Sequence, residues 1–348
     1  MLKLLRVVAL SLSVSGLISQ GLAEPLWAYG FLTPAKPTDV ANPTFPPTRK
    51  PKADKSVEVQ LAPQHLPGST ASYSLIDIHY GGSVADWYPS EHPNMPYIVA
   101  HGSKGLGKAA YACGFCHLPN GKGRPENAPV SGQSVEYFIR QLQDFKSGLR
   151  YTSDNRKANT PLMIALAKAM TKQEEIEAAE YFAAIPWTRW IRVIETDLVP
   201  RTHIENSLFL AAEKKLTEPI AGRIIEIPED EEQAQAMRNP HSGFIAYVPK
   251  GSLKKGEALV TTGGSTLLGS KVIPGKTVAC ATCHGPDLMG LKDAPGIAGR
   301  SPSYLARQIY DMKQGTRKGL LAVQMQPVVS QLSDDDITAI VAYVSSLP

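Results

Sequence analysis

The run Cys113-Gly114-Phe115-Cys116-His117 recurs as Cys280-Ala281-Thr282-Cys283-His284, and these two copies of C-x-x-C-H use all four cysteines of the chain. Two thiols at this spacing can each add to one vinyl group of the same porphyrin. The histidine that follows is then placed to bind the iron from one face, so the pattern is a signature of covalent haem attachment. Two copies imply two haem c groups. Other chemistries fit less well. Compact zinc sites bring C-x-x-C pairs together over about 15–20 residues, whereas these pairs lie 167 residues apart, and zinc would leave both histidines without a role. A thioredoxin-like centre needs one C-x-x-C beside a βαβ pattern, and neither motif has a strand-rich flank.

The elements that must hold these motifs come from an internal repeat. Shifting the chain by 167 residues sets Gly132, Ser134 and Tyr137 on Gly299, Ser301 and Tyr304, then Arg140, Gln141 and Asp144 on Arg307, Gln308 and Asp311, and finally Gly148 and Arg150 on Gly315 and Arg317. After a length change the offset becomes 162, with Met163 on Met325, Tyr181 on Tyr343 and Pro186 on Pro348. This is a duplicated domain. Each copy is mostly helical: Tyr137, Phe138, Gln141, Leu142 and Phe145 share one helix face, as do Tyr304, Leu305, Gln308, Ile309 and Met312. Ser134 and Ser301 stand as N-caps, with Gly148 and Gly315 as stops. A second helix in each copy opens at Thr171 or Ser333 with acidic residues in its first turn.

The predicted organisation is a signal peptide at 1–23, a proline-rich extension at 24–98, domains at 99–186 and 249–348, and an inter-domain segment at 187–248. Lys3 and Arg6 precede an apolar stretch from Val7 to about Ile18, and Gly21-Leu22-Ala23 offers small residues for cleavage before Glu24. That stretch is shorter than the roughly 20 residues of a membrane span; an uncleaved anchor is the alternative. Export to the periplasm suits the haem reading, because bacteria attach haem c outside the cytoplasm. The formal charge falls from +4 to +2 with the leader removed, which gives no reason to expect nucleic acid, and no second long apolar run exists to span a membrane after processing. Nine prolines between Pro25 and Pro67 predict an extended arm on the surface or free of it. Segments at 190–194, 220–227 and 243–248 read as strands that pack between or across the domains.

One axial position belongs to His117 or His284, and the other decides what the haem does. Met163, expected in a loop before the second helix, and Met325 match between the copies. Met170 is set on Leu332 and Met312 on Phe145, so neither passes that test, and Met289 lies just after its haem motif. A thioether favours Fe(II) and raises the potential relative to a second imidazole. The histidine Nδ1–H needs an acceptor, for which the carbonyls of Pro129 and Pro295, in matching Ala-Pro pairs, are the candidates. Arg140, Arg150, Arg307 and Arg317 are candidates for neutralising haem propionates.

Taken together, Cys113-x-x-Cys116-His117 with Pro129 and Met163, and Cys280-x-x-Cys283-His284 with Pro295 and Met325, resemble the class I c-type cytochromes, specifically the bacterial two-haem kind. The resemblance covers roughly 100–186 and 250–348 and implies a mostly α fold of two tandem cytochrome c domains. It departs from the family in the insertion Gly263–Thr277 and in the region before the first haem motif, where the usual helix is short or missing and part of 68–100 covers the haem instead. It implies single-electron transfer with redox proteins as partners, a dehydrogenase, an oxidase or another cytochrome. The competing reading is an enzyme with one open or differently ligated iron, such as a di-haem peroxidase or thiosulfate-oxidising cytochrome. The matched methionines and the lack of a fifth cysteine count against it.

Overall fold

A computed structural model describes residues 25–348 except 37–38, 40–55, 81–82, 110, 206 and 213–215, so the expected leader lies outside the described residues. The repeat is visible in its helices. Ser134 Oγ accepts from Tyr137 N at 3.1 Å to open the helix Val135–Lys146, and Ser301 Oγ accepts from Tyr304 N at 3.2 Å to open Pro302–Lys313. Gly148 and Gly315 follow with φ of 73° and 72°, a left-handed conformation that stops a helix at little cost only in glycine. Lys172–Ala183 and Asp334–Ser346 begin with reciprocal capping boxes, Thr171 with Glu174 and Ser333 with Asp336. Among the described residues no helix is long and apolar enough to cross a membrane.

In the second domain the helix Ser252–Thr262 crosses Asp334–Ser346 at Gly256, where an added Cβ would lie 2.0 Å from Ala339 O. Only glycine permits that approach. The first domain replaces this long helix with the short Tyr97–His101, which packs on the motif helix Cys113–His117. The insertion after Gly263 forms a hairpin, Thr266–Leu268 with Lys271–Ile273.

Residues 187–248 supply a three-stranded sheet in which Phe244–Pro249 lies between Ile191–Thr196, its parallel partner, and Ile225–Pro228, its antiparallel one. The expected strand at 220–227 is formed only in its second half. The inner faces of this sheet join the core of the second domain, while Arg124 Nη1 reaches Ala234 O (3.1 Å) and Trp87 Nε1 reaches Met237 O (2.8 Å). The segment therefore packs across both halves.

The start of the proline-rich arm departs from expectation. Leu26–Tyr29 forms one helical turn whose Trp27, Ala28 and Tyr29 are buried in the core of the second domain, rather than lying on the surface. Tyr29 Oη donates to Asp311 Oδ1 at 2.6 Å, and Arg307 donates to Ala28 O. Arg156 of the first domain stacks on Phe31 at 3.9 Å and donates to Thr33 O. Two bulky aromatics placed next to prolines outweigh the breaker signal because burying each stabilises by roughly 1.5–3 kcal/mol.

Glu226 of the sheet is fully buried against the start of Pro302–Lys313, where its Oε2 accepts from Ser301 Oγ at 2.8 Å and Ser303 N at 3.3 Å. Burial pushes its carboxyl up from 4.5 to about 7 against those hydrogen bonds. The folded protein thus holds this proton more tightly than the unfolded chain does. The associated stability is complete below about pH 4.5 and is lost as pH rises through about 7, by about 3 kcal/mol in all. Thermal melts between pH 5 and 8 check this: Glu226→Gln should flatten the decline seen in the wild type, and equal slopes would discount Glu226.

Candidate cofactor sites

Each C-x-x-C-H run carries a short helix, Cys113–His117 and Ala281–His284, so the cysteines and histidine project from one turn. Gly114 is required in the first: a Cβ there would come within 2.8 Å of Val84 Cγ2 and 3.3 Å of Val99 O. None of the four cysteines forms a disulfide. Burial pushes the Cys113 thiol up to about 12 and the Cys280 thiol up to about 11. The two pairs also line different cavities, so they do not converge on one metal.

His117 and His284 are both buried. His117 Nδ1 lies 2.8 Å from Ala128 O and His284 Nδ1 lies 2.7 Å from Pro295 O. A carbonyl only accepts, so Nδ1 carries the proton; burial disfavours the imidazolium, which leaves the Nε2 lone pair for a metal. The expected acceptor Pro295 is thus found, but Pro129 is replaced by Ala128. Both acceptors lie 11 residues after their histidine, and the 167-residue offset sets Ala128 on Pro295. Matching the two Ala-Pro pairs instead shifts that register by one residue. Pro129 O accepts from Arg300 Nη1 at 3.0 Å.

The first cavity is lined by Cys116, His117 and Met163 among apolar, polar and charged residues, and a second lobe adds Cys113, Ile98 and Met170. Ile98 is the residue of 68–100 that lines this lobe. The other cavity is lined by Cys280, Cys283, His284 and Met325. Met163 lies within the helix Asn159–Ala169, not in a loop before it. Pro161 occupies that helix's first turn, where a missing N–H is tolerated, so the loop signal marked a helix start instead. Met325 ends a short 3-10 turn, Ala322–Met325. Met289 is exposed and lines neither cavity. Met312 lines the second cavity, as its counterpart Phe145 lines the first, which makes that pair equivalent packing positions.

The two cavities share a wall. Gln133, Tyr137, Gln141, Tyr304 and Gln308 line both. The wall is built with pseudo-two-fold symmetry, since Arg150 and Arg317 face each other across an isolated antiparallel bridge. Arg150 donates to Gln141 Oε1 (2.9 Å), Tyr304 Oη (3.3 Å) and Gln308 Oε1 (2.9 Å); Arg317 donates to Gln308 Oε1 (3.1 Å), Tyr137 Oη (3.0 Å) and Gln141 Oε1 (2.9 Å). Gln133 and Arg300, also 167 apart, reach across in opposite directions to Gly296 O and Pro129 O. Of the four candidate arginines, Arg150 and Arg307 line the first cavity and Arg317 and Arg140 the second, so each cavity receives one from each domain. Periodicity alone places Tyr137, Gln141, Tyr304 and Gln308 on helix stripes, and their polarity, identical between the copies, is the sequence signal of a further role.

The cytochrome c family model matches residues 264–348. The chain is 24% identical to cytochrome c4 of Pseudomonas aeruginosa over 257 residues, 73% of this chain and 92% of that protein. It is 43% identical to cytochrome c-554(548) of Halomonas halodenitrificans over 72 residues, 20% of this chain and 87% of that protein. A protein named thiosulfate dehydrogenase electron acceptor, from Stutzerimonas stutzeri, is 38% identical over 73 residues, 20% of this chain and 32% of its own length.

Proposed function

Because this chain belongs to the cytochrome c family, we propose that it is a di-haem electron-transfer protein of the periplasm, carrying one haem c in each cavity between a donor, such as a dehydrogenase, and a respiratory acceptor. The shared wall carries this reading: it holds the two cavities one layer of side chains apart, each with its own C-x-x-C-H motif and methionine. Bound haem c supplies a reversible Fe(III)/Fe(II) couple. Cys113 and Cys116, and Cys280 and Cys283, would anchor it through thioether bonds. His117 and His284 would bind iron through Nε2, their rings oriented by Ala128 O and Pro295 O. Met163 and Met325 would supply the thioether ligands. The arginine-bonded wall fixes the separation of the two cavities.

A closed iron favours transfer over catalysis, and both copies keep the methionine that closes it. The electron-acceptor relative supports a dehydrogenase as one donor. The test is the mass and paramagnetic-resonance spectrum of the purified holoprotein. Two haems per chain, both low-spin when oxidised, are expected; a high-spin iron in the unmodified protein would favour the enzymatic alternative.

A further inference from the structure

Lys157 is 2% exposed in the lining of the first cavity, and its Nζ has no hydrogen-bond partner among the described residues. The charges that act on it are Arg307, Glu126 and Asp154. Both carboxylates are already paired, Glu126 with Arg124 and Asp154 with Arg156. Burial first, and Arg307 second, push the Lys157 ammonium well below the ordinary lysine range. A cation there needs an anion of its own. The arginines of this lining are differently placed. Arg150 donates to Gln141, Tyr304 and Gln308, and Arg307 to Ala28 O and Pro125 O.

We propose that Lys157 binds a propionate carboxylate of the haem in the first cavity and that its positive charge raises the reduction potential of that haem. The inference rests on the haem reading above. Propionates are the anionic groups that haem c presents, and a nearby cation disfavours the more positive ferric state. The device is one-sided. Lys157 lies in the stretch 151–162, whose counterpart 318–324 is shorter, and the lining of the second cavity contains no lysine. Gln324, in that shorter counterpart, lines the second cavity and is neutral.

The test is a spectroelectrochemical titration of the holoprotein as wild type, Lys157→Gln and Lys157→Arg, with haems per chain counted by mass. Two haems and an unchanged low-spin spectrum are expected throughout. Lys157→Gln should lower one midpoint so that the Fe(II):Fe(III) ratio at a fixed potential falls on the order of tenfold, roughly 59 mV. Lys157→Arg should restore most of the shift. The same titration of Met163→Ala identifies the affected midpoint as that of the first cavity. Unchanged midpoints with two haems present overturn the Lys157 assignment alone. Loss of the low-spin spectrum in Lys157→Gln puts the lysine on the iron and overturns it too, whereas a single haem per chain overturns the two-haem reading and this inference with it.

Discussion

Replacing Met163 by Ala will open one iron and leave the other closed. In the oxidised variant one of two low-spin signals should give way to a high-spin one. The reduced protein should bind carbon monoxide at one site per chain, and that site's potential should fall by more than roughly 60 mV, a tenfold shift toward Fe(III). The cause is loss of a soft neutral ligand that favours Fe(II), with water as the hard replacement. Met325→Ala should do the same at the other iron. Met170 and Met312 also border the cavities, yet they stand where the other copy has Leu332 and Phe145, so Ala at either should keep both irons low-spin. If neither Met163→Ala nor Met325→Ala changes the spectrum, the distal assignments fail. The duplicated alignment makes the two variants a matched pair, and a change in only one would mean that the copies have diverged in ligation.

Arg300→Ala should lower stability by roughly 3–5 kcal/mol, a drop in Tm on the order of 10 °C. Arg300 is 2% exposed and donates to Gly296 O (2.6 Å), Pro129 O (3.0 Å) and Ser131 O (3.0 Å), with its guanidinium 4.3 Å above the Trp187 ring. Burial lowers its pKa to about 10, so it stays charged at neutral pH. Truncation would leave Pro129 O and Ser131 O without this donor at the seam between the domains, while Gly296 O keeps Gln133 Nε2. Because the two carbonyls that lose it belong to the first domain and Arg300 to the second, the seam itself should loosen. Thermal unfolding followed in parallel by far-UV dichroism and haem absorbance should then split into non-coincident transitions. Arg300→Lys should rescue little, since an ammonium cannot reproduce the planar fork that spans the carbonyls and stacks on the indole. A Tm within a few degrees of wild type in Arg300→Ala would show that Gln133, which crosses the seam the other way, suffices to hold it.

The chemistry was legible in the sequence because it is local. Two C-x-x-C-H runs, the 167-residue offset and the paired methionines are statements about spacing along one chain, and the capped helices that carry them follow from residues within a turn or two. Even the corrected histidine acceptor was present in that offset, which sets Ala128 on Pro295; the dipeptide match obscured it. What the tertiary structure decided was how the two copies meet. That Arg140 lines the far cavity, that Gln133 and Arg300 exchange carbonyls, and that Trp27 and Tyr29 leave a proline-rich arm to enter the second core depend on the docking of surfaces more than a hundred residues apart. The shared wall of tyrosines, glutamines and arginines is the clearest case. Periodicity assigns Tyr137, Gln141, Tyr304 and Gln308 to helix faces, but only the apposition of the two copies brings Arg150 and Arg317 to their polar groups, so their role is a property of the pair of domains and not of either stretch of sequence.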